Sequence, residues 1–314
     1  MKIKDKLSIT KEDPLDTFNG YTSEQVEQEK RIEVVDSSNI RKVVTEFEEA
    51  LKLDPIDDVI ESKYILSENE LNSFIQISKK YHSHKEFSIY LGTFLGSLVE
   101  NLFKEKKSAL YLDLIDLPPI DHFLSFFRPL NYSKYHTKNL YKITIDGSLG
   151  MHCFSNSNFI DVDVSKNVGI YFGVHSSNIS VNVQGNVGSE FGLNSEFLRT
   201  RIKGSADKLF GDGSKYLSGI IEGDMDECLG NYSKGLNVRV DGSIHRYGLF
   251  YKAVSGNLQM NQAMFSDFES NPVIATKETF FNRTLNSLGL YPYNRAIHYD
   301  RILNKNKTLR LILY

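Results

Sequence analysis

The 314-residue sequence has no tryptophan, only two cysteines and no apolar run of the length that spans a bilayer. Cys153 and Cys228 cannot build the disulfide framework that small secreted domains use. The first 18 residues are charged throughout and lack an apolar segment like the core of a signal peptide. We therefore expect a cytoplasmic protein with no membrane partner.

A strong excess of either charge is also lacking, since 37 basic and 40 acidic side chains give a formal net charge of −3. The distribution is uneven: 18 basic and 24 acidic residues give −6 over 1–135, and 7 basic and 4 acidic residues give +3 over 255–314. No block is basic enough to form a nucleic-acid-binding surface by itself. Nucleic-acid binding is therefore not expected, although the tail at 290–314, with its tyrosines and arginines, keeps it open as an alternative.

What the sequence does contain is a 19-residue internal repeat over 141–253, whose third row is ISVNVQGNVGSEFGLNSEF (179–197). Positions 1, 3 and 5 of the rows are mostly Ile, Leu or Val with polar residues between them, which is typical of a strand with one buried face. The sixth row is one residue short, and a seventh begins at Val254.

Two positions of the repeat are glycine in most rows, namely position 7 and position 14. These columns are Gly147, Gly185, Gly204, Gly223 and Gly242, and then Gly173, Gly192, Gly211, Gly230 and, across a one-residue gap, Gly248. Glycine recurs at corners because tight bends need positive φ or leave no room for a Cβ. A phosphate-binding loop would be a single turn between a strand and a helix, whereas this pattern recurs in every row, so no cofactor is expected.

A strand, a glycine corner and a second short apolar element, repeated at constant length, predict a right-handed parallel β-helix of about six to seven 19-residue coils. Like positions of successive coils would stack roughly 4.8 Å apart. Propeller blades of about 40 residues and leucine-rich repeats do not fit this period.

The run from Gly185 to Gly192, followed by an alternating strand that ends at Gly204, resembles the repeat of the GXGXG domain family. That family includes the C-terminal β-helix of glutamate synthase and the β-helical component of formylmethanofuran dehydrogenase. The resemblance covers residues 141–260, with serine where the family has methionine: Ser157, Ser176, Ser195, Ser214 and Ser233. It implies a structural spacer and a contact between subunits rather than chemistry.

The segments that flank the repeat predict a four-part chain: a polar tail (1–30), a mainly helical domain (31–135), the solenoid (136–265) and a C-terminal cap (266–314). In the helical part, the patterns predict helices at 41–53, 67–81 and 86–107, and a strand at 109–115 that leads into the first coil. Ser67 and Glu70 have the spacing of a capping box. In the C-terminal part, we expect a helix over 271–289 and a final strand that covers the open end of the solenoid.

One column of the repeat changes from glycine to ionisable side chains. At position 10, Gly150, Gly169 and Gly188 are followed by Asp207, Asp226 and His245. Stacking would place these three about 5 Å apart on successive coils, which makes them candidates for a divalent-cation site or for acid/base catalysis. The adjacent column of Lys208, Glu227 and Arg246 alternates in sign, which instead predicts a solvated corner whose acids are neutralised.

A second charged group lies on the strands. Arg199, Arg201 and Lys203 project outward from the fourth coil, and Asp161 and Asp163 lie two coils away. This pattern predicts an exposed charged face rather than an anion-binding site.

The leading hypothesis is a non-catalytic scaffold or a protein that mediates contacts between subunits, whose flat solenoid face binds another protein or a second copy of the chain. The alternative is a β-helix enzyme that acts on a polysaccharide at Asp207, Asp226 and His245. The constant coil length argues against the enzyme, and so does the absence of tryptophan, a frequent platform for sugars.

Overall fold

The computed structural model describes residues 35–52, 62–105, 107–128 and 140–244, together with the backbone of four further strands. The three predicted helices are confirmed: α1 (Ser38–Ala50), α2 (Glu68–Ser78), which continues into a 3-10 turn at Lys79–Tyr81, and α3 (Phe87–Lys104). The predicted capping box is also confirmed. The Ser67 hydroxyl accepts from the Glu70 N–H at 3.3 Å, and the Glu70 carboxylate accepts from the Ser67 N–H at 2.9 Å.

The described part of the chain contains eleven strands. They are β1 (Ala109–Asp113), β2 (Tyr141–Asp146), β3 (Asn158–Val164), β4 (Ser177–Val183), β5 (Glu196–Ile202), β6 (Ser218–Ile221), β7 (Lys234–Val240), β8 (Ser255–Met260), β9 (Ala263–Ser266), β10 (Pro272–Ala275) and β11 (Leu309–Leu313). Nine of them form one parallel sheet in the order β1-β2-β3-β4-β5-β6-β7-β8-β11, and β9 and β10 form an antiparallel pair. Because β1 pairs with β2, the strand predicted to lead into the first coil is confirmed.

The pairing register shows that the repeat is a stack of coils. Ile160 pairs with Ile179, Ile179 pairs with Leu198, and the 19-residue offset holds from β2 to β7. The chain is therefore a parallel β-solenoid, as the repeat predicted.

The predicted number of coils is corrected to five complete 19-residue coils, over 141–235. The sixth coil is longer than nineteen residues, since Leu236 pairs with Gly256 and Val238 pairs with Leu258, 20 residues on. A bulge between Lys234 and Leu236 accompanies this change, as expected where one strand of a pair carries an extra residue. The sixth coil therefore has one residue more than the other coils, although its row in the sequence alignment has one residue fewer.

The core runs without interruption from the helices through the coils. Inward residues of the strands are buried, for example Val162 at 0% and Val181 at 2% exposure, and a ladder of buried phenylalanines runs through the same interior. Phe172, Phe191 and Phe210 stack with ring centroids 5.2 and 5.3 Å apart. Helix α1 joins the same hydrophobic cluster through Phe47. Burial of this continuous apolar surface is the main stabilising contribution to the fold.

Helix α2 covers the free edge of β1. The side chain of Asn72, only 4% exposed, donates to the Tyr111 carbonyl at 2.9 Å and accepts from the Asp113 N–H at 2.9 Å. The Glu68 carboxylate accepts from the Tyr111 N–H at 3.3 Å. Side chains thus satisfy backbone groups that would otherwise template the addition of another strand.

At the corners of the coils, backbone N–H groups donate alternately to the preceding coil and to the following coil. In the third coil, Gly192 N–H donates back to the Phe172 carbonyl at 2.9 Å, whereas Asn194 N–H donates forward to the Asp212 carbonyl at 2.8 Å. This path requires positive φ at positions 12, 14, 16 and 19, which in that coil are Glu190, Gly192, Asn194 and Phe197. The corners therefore hold non-glycine residues in a conformation that costs about 1–2 kcal/mol each, and backbone bonds to both neighbouring coils offset that cost.

The C-terminal strand is confirmed, since β11 pairs in parallel with β8. The predicted helix over 271–289 is wrong at its beginning, because residues 272–275 form β10 and pair with β9. The β-branched residues Val273 and Ile274 favour an extended chain. Residues 276–289 lie outside the described part, and so do the polar tail at 1–30 and any covering of the solenoid end by 276–308.

Candidate functional site

The predicted position-10 column is only partly within the described residues. Asp207 and Asp226 occupy equivalent places on successive coils, and the neighbouring Ala206 pairs with Met225. The Asp207 carboxylate is engaged within the chain, because Oδ2 accepts from the Ser189 hydroxyl at 2.7 Å and Oδ1 accepts from the Lys208 N–H at 2.8 Å. Its acceptor capacity is thus directed at the preceding coil and at its own corner. His245, the third member, lies outside the described residues.

The adjacent column behaves as the solvated-corner interpretation expects. Lys208 Nζ lies 3.0 Å from Glu227 Oε1, so a cation from one coil pairs with an acid from the next. Within the described residues, no group of three or more His, Cys, Asp or Glu side chains is arranged to hold a metal ion. The described contacts of Asp207, Lys208 and Glu227 therefore stabilise the corner, and these side chains do not form a set of metal ligands.

The glycine columns have two different physical causes. At position 14, the φ angles of 65, 67, 65 and 63° lie in the left-handed region that favours glycine. The glycines concerned are Gly173, Gly192, Gly211 and Gly230. At position 7, a Cβ would collide with the backbone of the preceding coil, as at Gly204, where it would lie 2.5 Å from the Gly185 oxygen. Gly223 and Gly242 show the same approach, Gly147 combines it with positive φ, and Gly248 lies outside the described residues.

A ladder of side-chain oxygens lies beside the position-7 glycines and was not predicted from the sequence. At position 8, Asn167 Oδ1 accepts from the Asn186 N–H at 2.9 Å, and Asn186 Oδ1 accepts from the Ser205 N–H at 2.8 Å. Ser205 and Asp224 continue the ladder to the next two coils. The signal was present, because this column holds only short polar residues that can accept a bond from a nearby N–H.

Asp212 is a buried carboxyl group that was not predicted either. It is 7% exposed at position 15, where the two preceding coils have Val174 and Leu193. Its Oδ1 accepts from the Asn231 N–H at 2.8 Å. Burial raises the pKa of Asp212 to about 7; the bonds with Asn231 oppose this shift, and the charge of Glu190 adds to it. The signal that could have found it was an acid that follows two apolar residues, Val174 and Leu193, in one column of the repeat.

We expect this group to make stability depend on pH. In the unfolded chain the pKa of an aspartate is about 3.9, whereas the pKa of folded Asp212 is about 7. Between these values the folded state binds more protons, so its stability falls as pH rises through that window and then levels off. Asp212→Asn keeps an oxygen acceptor for Asn231 but does not titrate. Urea unfolding at about pH 5 and about pH 8 should therefore show a smaller loss of stability in the variant than in the wild type.

The matched control is Asp226→Asn on the next coil, which should retain the wild-type difference between the two pH values. An Asp212→Asn protein that loses as much stability as the wild type over this range would contradict the assignment.

The outward side chains of β2–β7, at positions 2, 4 and 6, form a surface that we define as the outer face. Ion pairs bridge its strands: Lys142 Nζ lies 3.4 Å from Asp163 Oδ2, and Arg201 Nη2 lies 2.7 Å from Glu222 Oε1. The face is therefore charged and partly neutralised from strand to strand, as the sequence predicted for an exposed charged surface.

Charge on the outer face is segregated by strand around β4. At positions 2, 4 and 6, which lie on each strand and directly after it, Asp161, Asp163 and Ser165 of β3 give −2; Ser180, Asn182 and Gln184 of β4 give 0; Arg199, Arg201 and Lys203 of β5 give +3. Arg199 and Lys203 are exposed and make no ion pair within the part of the chain that the structure describes. Two strands of opposite charge thus flank a neutral central strand.

These observations define the chain as a parallel β-solenoid protein with a charged outer face. No protein-family model, curated protein or solved structure matches it. The resemblance to the GXGXG family therefore stays a prediction. Among the described residues, no helix has the length and apolar character needed to cross a membrane.

Proposed function

We propose that this protein is a non-catalytic scaffold of the cytoplasm, a mediator of contacts between subunits that binds a protein surface through its outer face. The observation that carries the proposal is the in-register arrangement of charge, −2 on β3, 0 on β4 and +3 on β5. Fixed rows of charge suit recognition of a complementary protein surface, because complementarity sets the register and disfavours other partners.

The contacts of Asp207, the candidate catalytic residue that the structure describes together with Asp226, support a non-catalytic role. The Asp207 carboxylate accepts from Ser189 and from its own corner, and Lys208 pairs with Glu227. A general acid or base needs a carboxyl group that is directed at a substrate, whereas Asp207 is directed at the chain itself. The resemblance to the GXGXG family implies the same spacer and contact role.

Site-specific photo-crosslinking in the cells that make the protein tests this proposal. A photoreactive residue in place of Gln184, which is exposed at the centre of the outer face, should form adducts with protein. The matched control is the same residue in place of Lys215, which is exposed at position 18 and does not belong to the outer face. The proposal fails if the position of Gln184 gives no more protein adduct than the position of Lys215.

A further inference from the structure

We infer that the partner of the outer face is a second copy of this chain, packed face to face across a two-fold axis that runs along β4. The inference rests on the proposed function and deepens it by naming the partner. It follows from the order of charge on the strands, which is self-complementary under one symmetry operation.

The operation pairs unlike strands. A two-fold axis parallel to β4, lying between the two faces, reverses the order of the strands and preserves position along each strand. β3 then lies opposite β5 of the second copy, with Asp161 facing its Arg199 and Asp163 facing its Arg201. Each contact occurs twice, because a two-fold interface is formed by the same patch on both chains.

The other face-to-face arrangement is disfavoured by the same charges. An axis perpendicular to the strands would place every strand opposite its own copy, so that the three cations of β5 would face three cations. Like charges brought together at an interface cost several kcal/mol. The charge pattern therefore selects one of the two symmetric arrangements.

The neutral residues of β4 suit the central contact. Ser180, Asn182 and Gln184 are short to medium polar side chains that carry no charge. Packed sheets lie about 10 Å apart, a gap that an arginine and an aspartate reaching from opposite sides can close. At the margin Asp146 would face Glu222 of the second copy, but Glu222 already accepts from Arg201 at 2.7 Å.

Asp161 is the acid on this face whose charge the single chain compensates incompletely. Desolvation by burial is the largest influence on its carboxyl group and raises its pKa, and the charge of Asp163 adds to this shift. The hydrogen bond from Ser180 and the charge of Lys142 oppose the shift without cancelling it. An arginine from a second copy would complete the compensation, and Arg199, exposed on β5, would gain an acidic partner.

The available area fits a modest dimer. With the axis along β4, the strands of the outer face that lie opposite one another are β2–β6; five strands at about 4.8 Å spacing and about seven residues long at about 3.3 Å each give a face of roughly 550 Å². Two such faces bury roughly 1,100 Å², the size typical of weak or transient interfaces. We therefore expect dimerisation in the micromolar range, weakened by salt because exposed charges are screened.

A charge-swap experiment on the full chain tests the inference by sedimentation velocity. Asp161→Arg places arginine against Arg199 of the second copy, and Arg199→Asp places aspartate against Asp161. Each variant alone should dimerise at least about tenfold more weakly than the wild type, about 1.4 kcal/mol. An equimolar mixture should regain dimerisation, because each chain then supplies the charge that the other needs.

The mixture keeps the test independent of folding, since only folded chains can restore the dimer. Lys215→Asp, a charge reversal outside the outer face, should dimerise like the wild type. The inference is overturned if the wild type stays monomeric at about 100 µM, roughly a hundred times a 1 µM Kd, or if mixing the two variants restores nothing. In that case, adducts of a different protein with the photoreactive residue at position 184 would still support the proposed function. If no adducts formed there, both the proposed function and the dimer would be refuted.

Discussion

Replacing Phe191 by alanine is expected to lower the free energy of unfolding by about 3–5 kcal/mol. The ring is fully buried and stacks between Phe172 and Phe210, with centroids 5.2 and 5.3 Å away and nearly parallel planes. Its removal leaves a cavity in the middle of the ladder, and each coil of a solenoid is stabilised only by its immediate neighbours. Urea unfolding followed by far-UV circular dichroism measures the loss.

The matched control is the same substitution at Phe197, which lies on the surface. Phe197 is 49% exposed and stacks on Tyr216 with a centroid separation of 5.0 Å. Phe197→Ala should cost no more than about 1.5 kcal/mol, the value of an exposed aromatic pair. Equal losses at the two positions would show that the interior ladder does not carry the stability assigned to it.

A methyl group at Gly204 should have the next largest effect, a loss of about 3 kcal/mol. A Cβ there would lie 2.5 Å from the Gly185 oxygen and 2.6 Å from the Gly185 carbonyl carbon, so the backbones of two coils would have to separate. Backbone cannot move aside as the end of a flexible side chain can. The Gly204 N–H bond to the Gly185 oxygen, 3.0 Å long, would be disturbed as well.

Gly173→Ala separates the two causes of the glycine columns. Its φ of 65° makes alanine strained, but a Cβ would meet only the Ser176 hydroxyl oxygen, at 3.4 Å. We expect a loss of about 1–2 kcal/mol, the cost of the left-handed conformation alone. Thermal or urea unfolding of the two variants side by side provides the measurement. A larger loss at Gly173 than at Gly204 would contradict the assignment of close coil contact to position 7.

Much of the fold could be predicted because it is encoded at short range. The alternation of Ile160, Val162 and Val164 with polar residues specifies a strand with one buried face, and repetition of that pattern specifies stacking. The capping box of Ser67 and Glu70 is likewise a local signal with one structural meaning. The fold class, the three helices and the strands of the repeat followed from such patterns.

The candidate site was less predictable from the sequence. The spacing of Asp207 and Asp226 indicated stacking, and the structure brings them to equivalent places on adjacent coils. Their spacing could not show that Asp207 accepts from Ser189, because that bond depends on how the hydroxyl of one coil meets the corner of the next. The length of the sixth coil was misjudged for a related reason: pairing of Leu236 with Gly256 makes it twenty residues long, and that register depends on contacts between strands that the row alignment does not show.

The sequence by itself determined the period, the strands, the buried face and the glycine corners, because each depends on side-chain size, polarity and φ within one coil. The tertiary structure alone decided which corner glycines serve close contact and which serve positive φ. It also placed Asn72 on the edge of β1 and buried Asp212 between coils. These features arise where separate parts of the chain meet, and the distances between the meeting atoms are set by packing rather than by position in the sequence.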